Sequence, residues 1–115
     1  MGLLERATPN PAGYHDIDPA SVAAARADVR IVDVREPHEF TGELGHIPGS
    51  ELVPLGQVEA AAASWDQEPE LVLICRSGNR SGRAAAALAA KGFHRVMNMV
   101  GGMLAYNEAK LPVER

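Results

Sequence analysis

The segment "LVLICRSGNRSGR", residues 71–83, carries the most chemical promise in the chain. It holds Cys75, the only cysteine among 115 residues. Four apolar residues, Leu71 to Ile74, run straight into the thiol. Arg76, Ser77, Gly78, Asn79, Arg80 and Ser81 follow, and an alanine-rich segment comes next. A lone cysteine is ordinarily a small, inert core residue. The neighbours of Cys75 argue for a nucleophile instead. Gly78, Asn79 and the serines tolerate the tight turns that wrap a loop around one point. Backbone N–H groups in such a loop converge into an anion-binding nest. A helix behind the loop adds the positive end of its dipole. Arg76 and Arg80 add full positive charge. Each effect favours thiolate over thiol, so a depressed cysteine pKa is expected. A thiolate held among donors is suited to covalent catalysis.

The spacing narrows the substrate. Four residues separate Cys75 from Arg80. Tyrosine-phosphatase-type loops place five residues between their cysteine and arginine, and here Ser81 stands at that next position. The loop is one residue short for phosphate or arsenate and better sized for a smaller sulfur atom. No Gly-Lys-Ser/Thr ends it, so it is not a P-loop.

Short apolar runs must position this loop. "YHDI", "RIVDV" (30–34), "ELVPL" (51–55), "LVLIC" (71–75) and "RVMNM" (95–99) read as five strands. Helical segments lie between and after them. "DIDPASVAAARAD" starts with Asp18 as N-cap and Pro19 at the first helical position, with Val22 and Ala25 facing inward. "EPHEF", "GQVEAAAASWD", "SGRAAAALAAKGF" (stopped by Gly92) and "GGMLAYNEAK" follow. The alternation predicts an α/β single domain: a mainly parallel, five-stranded central sheet with helices on both faces. In such sheets, sites form outside the carboxyl ends of the strands. Cys75, Asp33, Arg35 and Gly101 all fall there. Residues 14–110 are expected to form the domain. Residues 1–13, with Pro9, Pro11 and Gly13, are expected to be a loose tail or irregular edge, and residues 111–115 a C-terminal tail.

Composition sets the outer limits. The chain has 15 acidic and 11 basic residues, a net charge of −4. That argues against nucleic acid or an anionic membrane as the main partner. No apolar stretch approaches the roughly 20 residues of a membrane span. "MGLLERATPNPAGY" has no signal-peptide run and no twin arginine, and Arg6 stands where a myristoylation signal has Ser or Thr. One cysteine permits no internal disulfide, and a free thiol suits a reducing compartment. The expected location is the cytoplasm. No metal or cofactor is expected: His46 has no second ligand at ligand spacing, and His15, His38 and His94 read as surface residues. Met97, Met99 and Met103 read as core or pocket wall, and Trp65 and Phe93 as packing anchors.

Together, "IVDVREPHEF", "GHIPGS", "VPL", "CRSGNRS" and "AAAALAAKGFHRVMNMVGG" make residues 14–110 resemble a single-domain rhodanese, a sulfurtransferase. "TGELGHIPGS" is slightly longer than the shortest family loops, and Tyr106 stands in for the aromatic residue that follows the GG pair. The resemblance implies a two-step reaction. Cys75 thiolate takes the sulfane sulfur of thiosulfate, sulfite leaves, and a Cys75 persulfide passes its sulfur to a thiophilic acceptor. Cyanide, a low-molecular-weight thiol or a protein thiol would serve. Backbone N–H groups of residues 76 to 80 would hold the persulfide as an oxyanion hole holds an oxyanion. Arg76 would hold the sulfonate of thiosulfate, and its presence argues against mercaptopyruvate. Arg80 would shape the loop by pairing with a carboxylate. Asp33 would help hold the loop, and Arg35 would pair with a carboxylate such as Glu39; the alternative is a solvated surface pair. Gly101 and Gly102 would let the backbone approach the loop closely. Two other readings stay open. One is a persulfide carrier or regulatory module without strong thiosulfate turnover. The other is a phosphatase or arsenate reductase on the same fold, which the loop length disfavours.

Overall fold

Short runs of β-branched and long apolar residues alternate with alanine-rich segments, and the chain folds accordingly. The computed structural model describes residues 2–115. Its elements run β1 (Thr8–Pro9), β2 (His15–Ile17), α1 (Pro19–Ala25), β3 (Arg30–Asp33), α2 (Pro37–Phe40), β4 (Glu51–Leu52), α3 (Leu55–Ala62), β5 (Leu71–Ile74), α4 (Asn79–Ala90), β6 (Val96–Met99) and α5 (Gly102–Glu108). The strands form one sheet in the order β1-β2-β6-β5-β3-β4. All pairings are parallel except β1 with β2. β5 lies inside the sheet with every residue buried, and Leu73 sits opposite Val32 on one side and Asn98 on the other.

The sheet has six strands where the sequence predicts five. The sixth, β1, comes from the first thirteen residues. Asn10 N–H donates to the Tyr14 carbonyl, the Asn10 side chain accepts from Ala12 N–H, and Gly13 turns with φ +102°. That turn folds Thr8–Pro9 back against β2. Pro9 has no N–H to give a ladder, so an edge is the place for it. Leu3, in a 3-10 turn, is buried against the sheet. β4 is shorter than predicted because Pro54 precedes a helix that already starts at Leu55.

The helices lie on both faces. On one face, Val58 and Ala62 of α3 and Ala84, Ala85 and Leu88 of α4 cover Val32, Leu71, Leu73 and Val96. On the other, Val22 of α1 and Met103 and Tyr106 of α5 cover Ile31, Val72, Ile74, Met97 and Met99. Each large apolar side chain so buried contributes about 1.5–3 kcal/mol. Side chains alternate between faces along a strand. Continuing β5 by one residue therefore puts Cys75 on the α3/α4 face with Leu71 and Leu73. Asn98, between Met97 and Met99, points to the same face. α1 starts as its sequence predicts: the Asp18 carboxylate accepts from the Ser21 N–H at 2.9 Å, and Pro19 takes the first position. No helix among the described residues is long and apolar enough to cross a membrane.

Candidate active site

Cys75 follows the last residue of β5 and is only 1% exposed. The first turn of α5 clamps its backbone. Met103 N–H donates to the Cys75 carbonyl at 2.9 Å, and Leu104 N–H to the Arg76 carbonyl at 3.0 Å. The approach requires Gly102. A Cβ there would sit 2.5 Å from both carbonyl oxygens, and its φ is +58°.

The loop then curls over the sulfur. Gly78 adopts the left-handed conformation, φ +102°, and caps α4. The helix consequently begins at Asn79, two residues earlier than the sequence suggests, so Arg80 and Ser81 belong to its first turn. Gly78 N–H donates to Cys75 Sγ at 3.1 Å and the Ser81 hydroxyl approaches it at 3.3 Å. Burial alone pushes the Cys75 thiol up. The Ser81 hydroxyl and the backbone N–H groups of Ser81, Gly78 and Ser77 outweigh it and hold the pKa below its ordinary value. The depressed pKa follows from converging dipoles, as the residue types predict.

The remaining predicted residues divide into two groups. Arg76, Ser77 and Asn79 are exposed around the buried sulfur. Arg76 pairs with no carboxylate among the described residues. It lines an open groove of about 360 Å³ with Arg35, His38, Glu39, Glu43 and Leu104. Arg80 is engaged: its two terminal nitrogens donate to the two Glu39 carboxylate oxygens, each at 2.8 Å. The Arg80 guanidinium holds the Glu39 carboxyl down to about 2 against the opposing effect of burial. Glu39 also accepts from the Glu36 N–H, which closes a capping box on α2.

Asp33 and Arg35 depart from expectation. Arg35 pairs with Asp33 and not with Glu39; its Nη2 donates to Asp33 Oδ2 at 2.7 Å and to the Gly45 carbonyl at 2.7 Å. Each side chain is 1% exposed, so this is no solvated pair. The Asp33 carboxylate spends its oxygens on Arg35 and makes no hydrogen bond to the loop. The reason is local. The two residues bracket Val34 at the end of β3, within reach of each other, while Glu39 points across to α4. The pair ties β3 to the "GHIPG" turn, where His46 stacks on Phe40 at 3.7 Å and its Nδ1 bonds the Phe40 carbonyl.

Asn98 is the site residue that sequence reasoning missed. It is 6% exposed, within hydrogen-bond reach of Ser81, and its Nδ2 donates to the Gly78 carbonyl at 3.2 Å. A polar residue amid "VMNM" in a strand with both neighbours apolar was the available signal. Among the described residues, no group of three or more His, Cys, Asp or Glu side chains is gathered to hold a metal ion.

The family model of the rhodanese-like domain matches residues 18–109. The chain belongs to the rhodanese-like family. It is 34% identical over 90 residues to the thiosulfate sulfurtransferase GlpE of Pseudomonas aeruginosa, covering 77% of this chain and 80% of that one. It is 44% identical over 75 residues to the putative sulfur carrier protein YrkF of Bacillus subtilis, covering 65% of this chain. The chain spans only 40% of YrkF's length. Among solved structures, a rhodanese-related protein of Thermoplasma volcanium superposes with a TM-score of 0.79 at 26% identity, covering 88% of this chain and 98% of that one. The matched residues run from α1 to α5 and include β3 to β6 and the loop that holds Cys75.

Proposed function

We propose that this rhodanese-like domain is a thiosulfate sulfurtransferase with Cys75 as its nucleophile. The observation that carries the reading is the environment of Sγ. A buried sulfur accepts an N–H from Gly78 and faces the Ser81 hydroxyl, and the next residue in the chain, Arg76, is exposed and pairs with no carboxylate among the described residues. The thiolate attacks the sulfane sulfur of thiosulfate, and sulfite leaves with the bonding pair. The outer sulfur of the persulfide then carries the negative charge, and the N–H groups of residues 76 to 80 stabilise it. Arg76 binds the sulfonate through guanidinium–oxyanion hydrogen bonds. Arg80, already paired with Glu39, holds the first turn of α4 in place and is not the substrate clamp. Cyanide or a thiol removes the outer sulfur and restores the thiolate. A free catalytic thiol with thiol acceptors suits a reducing compartment.

The test is direct. Treatment with thiosulfate should add the mass of one sulfur atom to the peptide bearing Cys75, and Cys75→Ser should abolish thiocyanate formation from thiosulfate and cyanide. Undiminished turnover by Cys75→Ser would end the reading. The similarity to YrkF supports a second one, a persulfide carrier that hands sulfur to a protein partner. It predicts slow thiosulfate turnover together with rapid exchange of labelled sulfur between Cys75 and a partner thiol.

A further inference from the structure

Cys75 and Asn98 compete for one proton. Ser81 Oγ lies 3.3 Å from Cys75 Sγ and 2.5 Å from Asn98 Oδ1, and all three residues are buried. A serine hydroxyl carries a single hydrogen, so it donates fully to one acceptor at a time. The orientation of the amide follows from its other end. Nδ2 faces the Gly78 carbonyl, which only accepts, so Oδ1 must face Ser81. Sγ keeps the Gly78 N–H when Ser81 turns away. Oδ1 then gains the hydroxyl, and loses its one donor among the described residues when Ser81 turns back.

We propose that Asn98 is a positioning residue for sulfur transfer, holding the Ser81 hydroxyl as a shared donor that turns to Sγ in the free thiolate and to Asn98 in the persulfide. The inference rests on the sulfur-transfer reading above. In the loading step a lone pair of Sγ forms the new S–S bond, the S–S bond of thiosulfate breaks, and sulfite takes its electron pair. The negative charge passes from Sγ to the outer sulfur. Sγ becomes a neutral divalent sulfur and a weak acceptor, and the Ser81 proton turns to Oδ1. In the discharge step the acceptor's lone pair bonds the outer sulfur, the Sγ–S pair returns to Sγ, and the hydroxyl turns back. No external oxidant or reductant is needed, and the Ser81 proton never leaves its oxygen.

The kinetic consequence has a definite sign. Asn98 competes for a donor that the free thiolate needs and the persulfide does not. Without Asn98, the thiolate keeps the hydroxyl outright. It becomes a weaker base, a weaker nucleophile and a better leaving group. Loading slows while discharge quickens. The charged groups nearest the loop are Arg80 of α4, Glu39 of α2 behind it, the Asp33–Arg35 pair at the end of β3, and the exposed Arg76 next to Cys75 in the chain; the titratable Tyr14 hydroxyl lies beside Gly82, as does Asn98 Nδ2. β6 and the first turn of α5 (Gly102 to Leu104) bring no titratable side chain.

The experiment is a double-mutant cycle on the full chain. The Cys75 pKa is read from the iodoacetamide alkylation rate against pH in wild type, Asn98→Ala, Ser81→Ala and the double variant. Asn98→Ala is expected to lower the pKa by roughly half a unit or more, about threefold in the ionisation constant. Ser81→Ala should raise it, and the double variant should match Ser81→Ala. Single-turnover measurements should show Asn98→Ala loading more slowly from thiosulfate and discharging faster to cyanide. A shift of equal size in both backgrounds, no shift, or loading and discharge slowing together would overturn the proposal. If Asn98→Ala fails to fold, the isosteric Asn98→Asp replaces it. That change strengthens the acceptor, so the pKa should rise, and the rise should shrink in the Ser81→Ala background; an undiminished rise overturns the proposal. Failure of wild type to take sulfur from thiosulfate is a separate result. It sinks the sulfur-transfer reading, while the alkylation cycle still decides whether the proton is shared.

Discussion

Asp33–Arg35 and Glu39–Arg80 flank the same loop, and both are arginine–carboxylate pairs with more than one hydrogen bond. They differ in reach and in burial. Asp33 and Arg35 are two residues apart, sealed at 1% exposure, and bonded onward to the Gly45 carbonyl. Glu39 and Arg80 are 41 residues apart, with side chains 19% and 30% exposed, and they join α2 to the first turn of α4. The first pair is a rivet in the scaffold, because removing one member would strand a charge in the interior. The second is a strap on the loop, with water as an alternative partner for each group. The Glu39 carboxylate raises the Arg80 pKa most, and the charge of Cys75 adds to it. Burial decides how much a pair matters to stability, and position decides how much it matters to the sulfur.

The largest effect expected is on the rivet. Asp33→Ala leaves the Arg35 guanidinium buried and unpaired, and should destabilise the fold by about 3–5 kcal/mol. Urea denaturation measures it; a loss below about 1 kcal/mol would erase the distinction between the pairs. Next comes the strap. Arg80→Met should cost less stability than Asp33→Ala but act on the sulfur. With the cation gone, the Cys75 pKa rises, and alkylation near neutral pH should slow by roughly three- to tenfold. An unchanged alkylation profile would show that Arg80 does not act on the thiolate.

The pH dependence of the strap gives a smaller effect with a definite sign. The Glu39 carboxyl is held to about 2 in the folded chain, below its ordinary 4.5. A depressed carboxylate stabilises the fold above its unfolded pKa and loses that contribution as pH falls through the folded value. The stability difference between wild type and Glu39→Gln should therefore stay level above about pH 4.5 and shrink towards pH 2. A difference constant across that window would refute the ionic account of the pair. The smallest effect is expected at Arg30–Glu51, an exposed bridge at 2.7 Å whose arginine also lies over the Trp65 ring at 4.3 Å. Glu51→Ala should cost less than about 1 kcal/mol, because water screens the charges and the stacking on Trp65 persists. A larger loss in the same denaturation assay would mean that exposure does not rank these pairs.

Much of the fold was legible because it rests on local patterns. Strand runs such as "LVLI" and "VMNM" and the Asp18–Pro19 helix start are encoded in neighbouring residues. So is the loop after Cys75, whose glycine and serines supply the dipoles that depress its pKa. β1 was harder to read. Its pairing depends on the Asn10–Gly13 turn, and a segment with two prolines nearby reads as a tail until the turn is seen to close.

The sequence by itself determined the order of elements, the place of a cysteine at the end of a buried strand, and the four residues that separate it from Arg80, since all of these depend on residue type and spacing along one stretch. Only the tertiary structure decided partners. Glu39 reaches Arg80 and not Arg35 because α2 and the first turn of α4 meet beside the loop. Asn98 meets Ser81 because β6 lies next to β5 in a register that turns it to the α4 face. Coulomb and hydrogen-bond energies depend on distances of a few ångströms, and those distances between residues far apart in the chain exist only once the sheet is assembled.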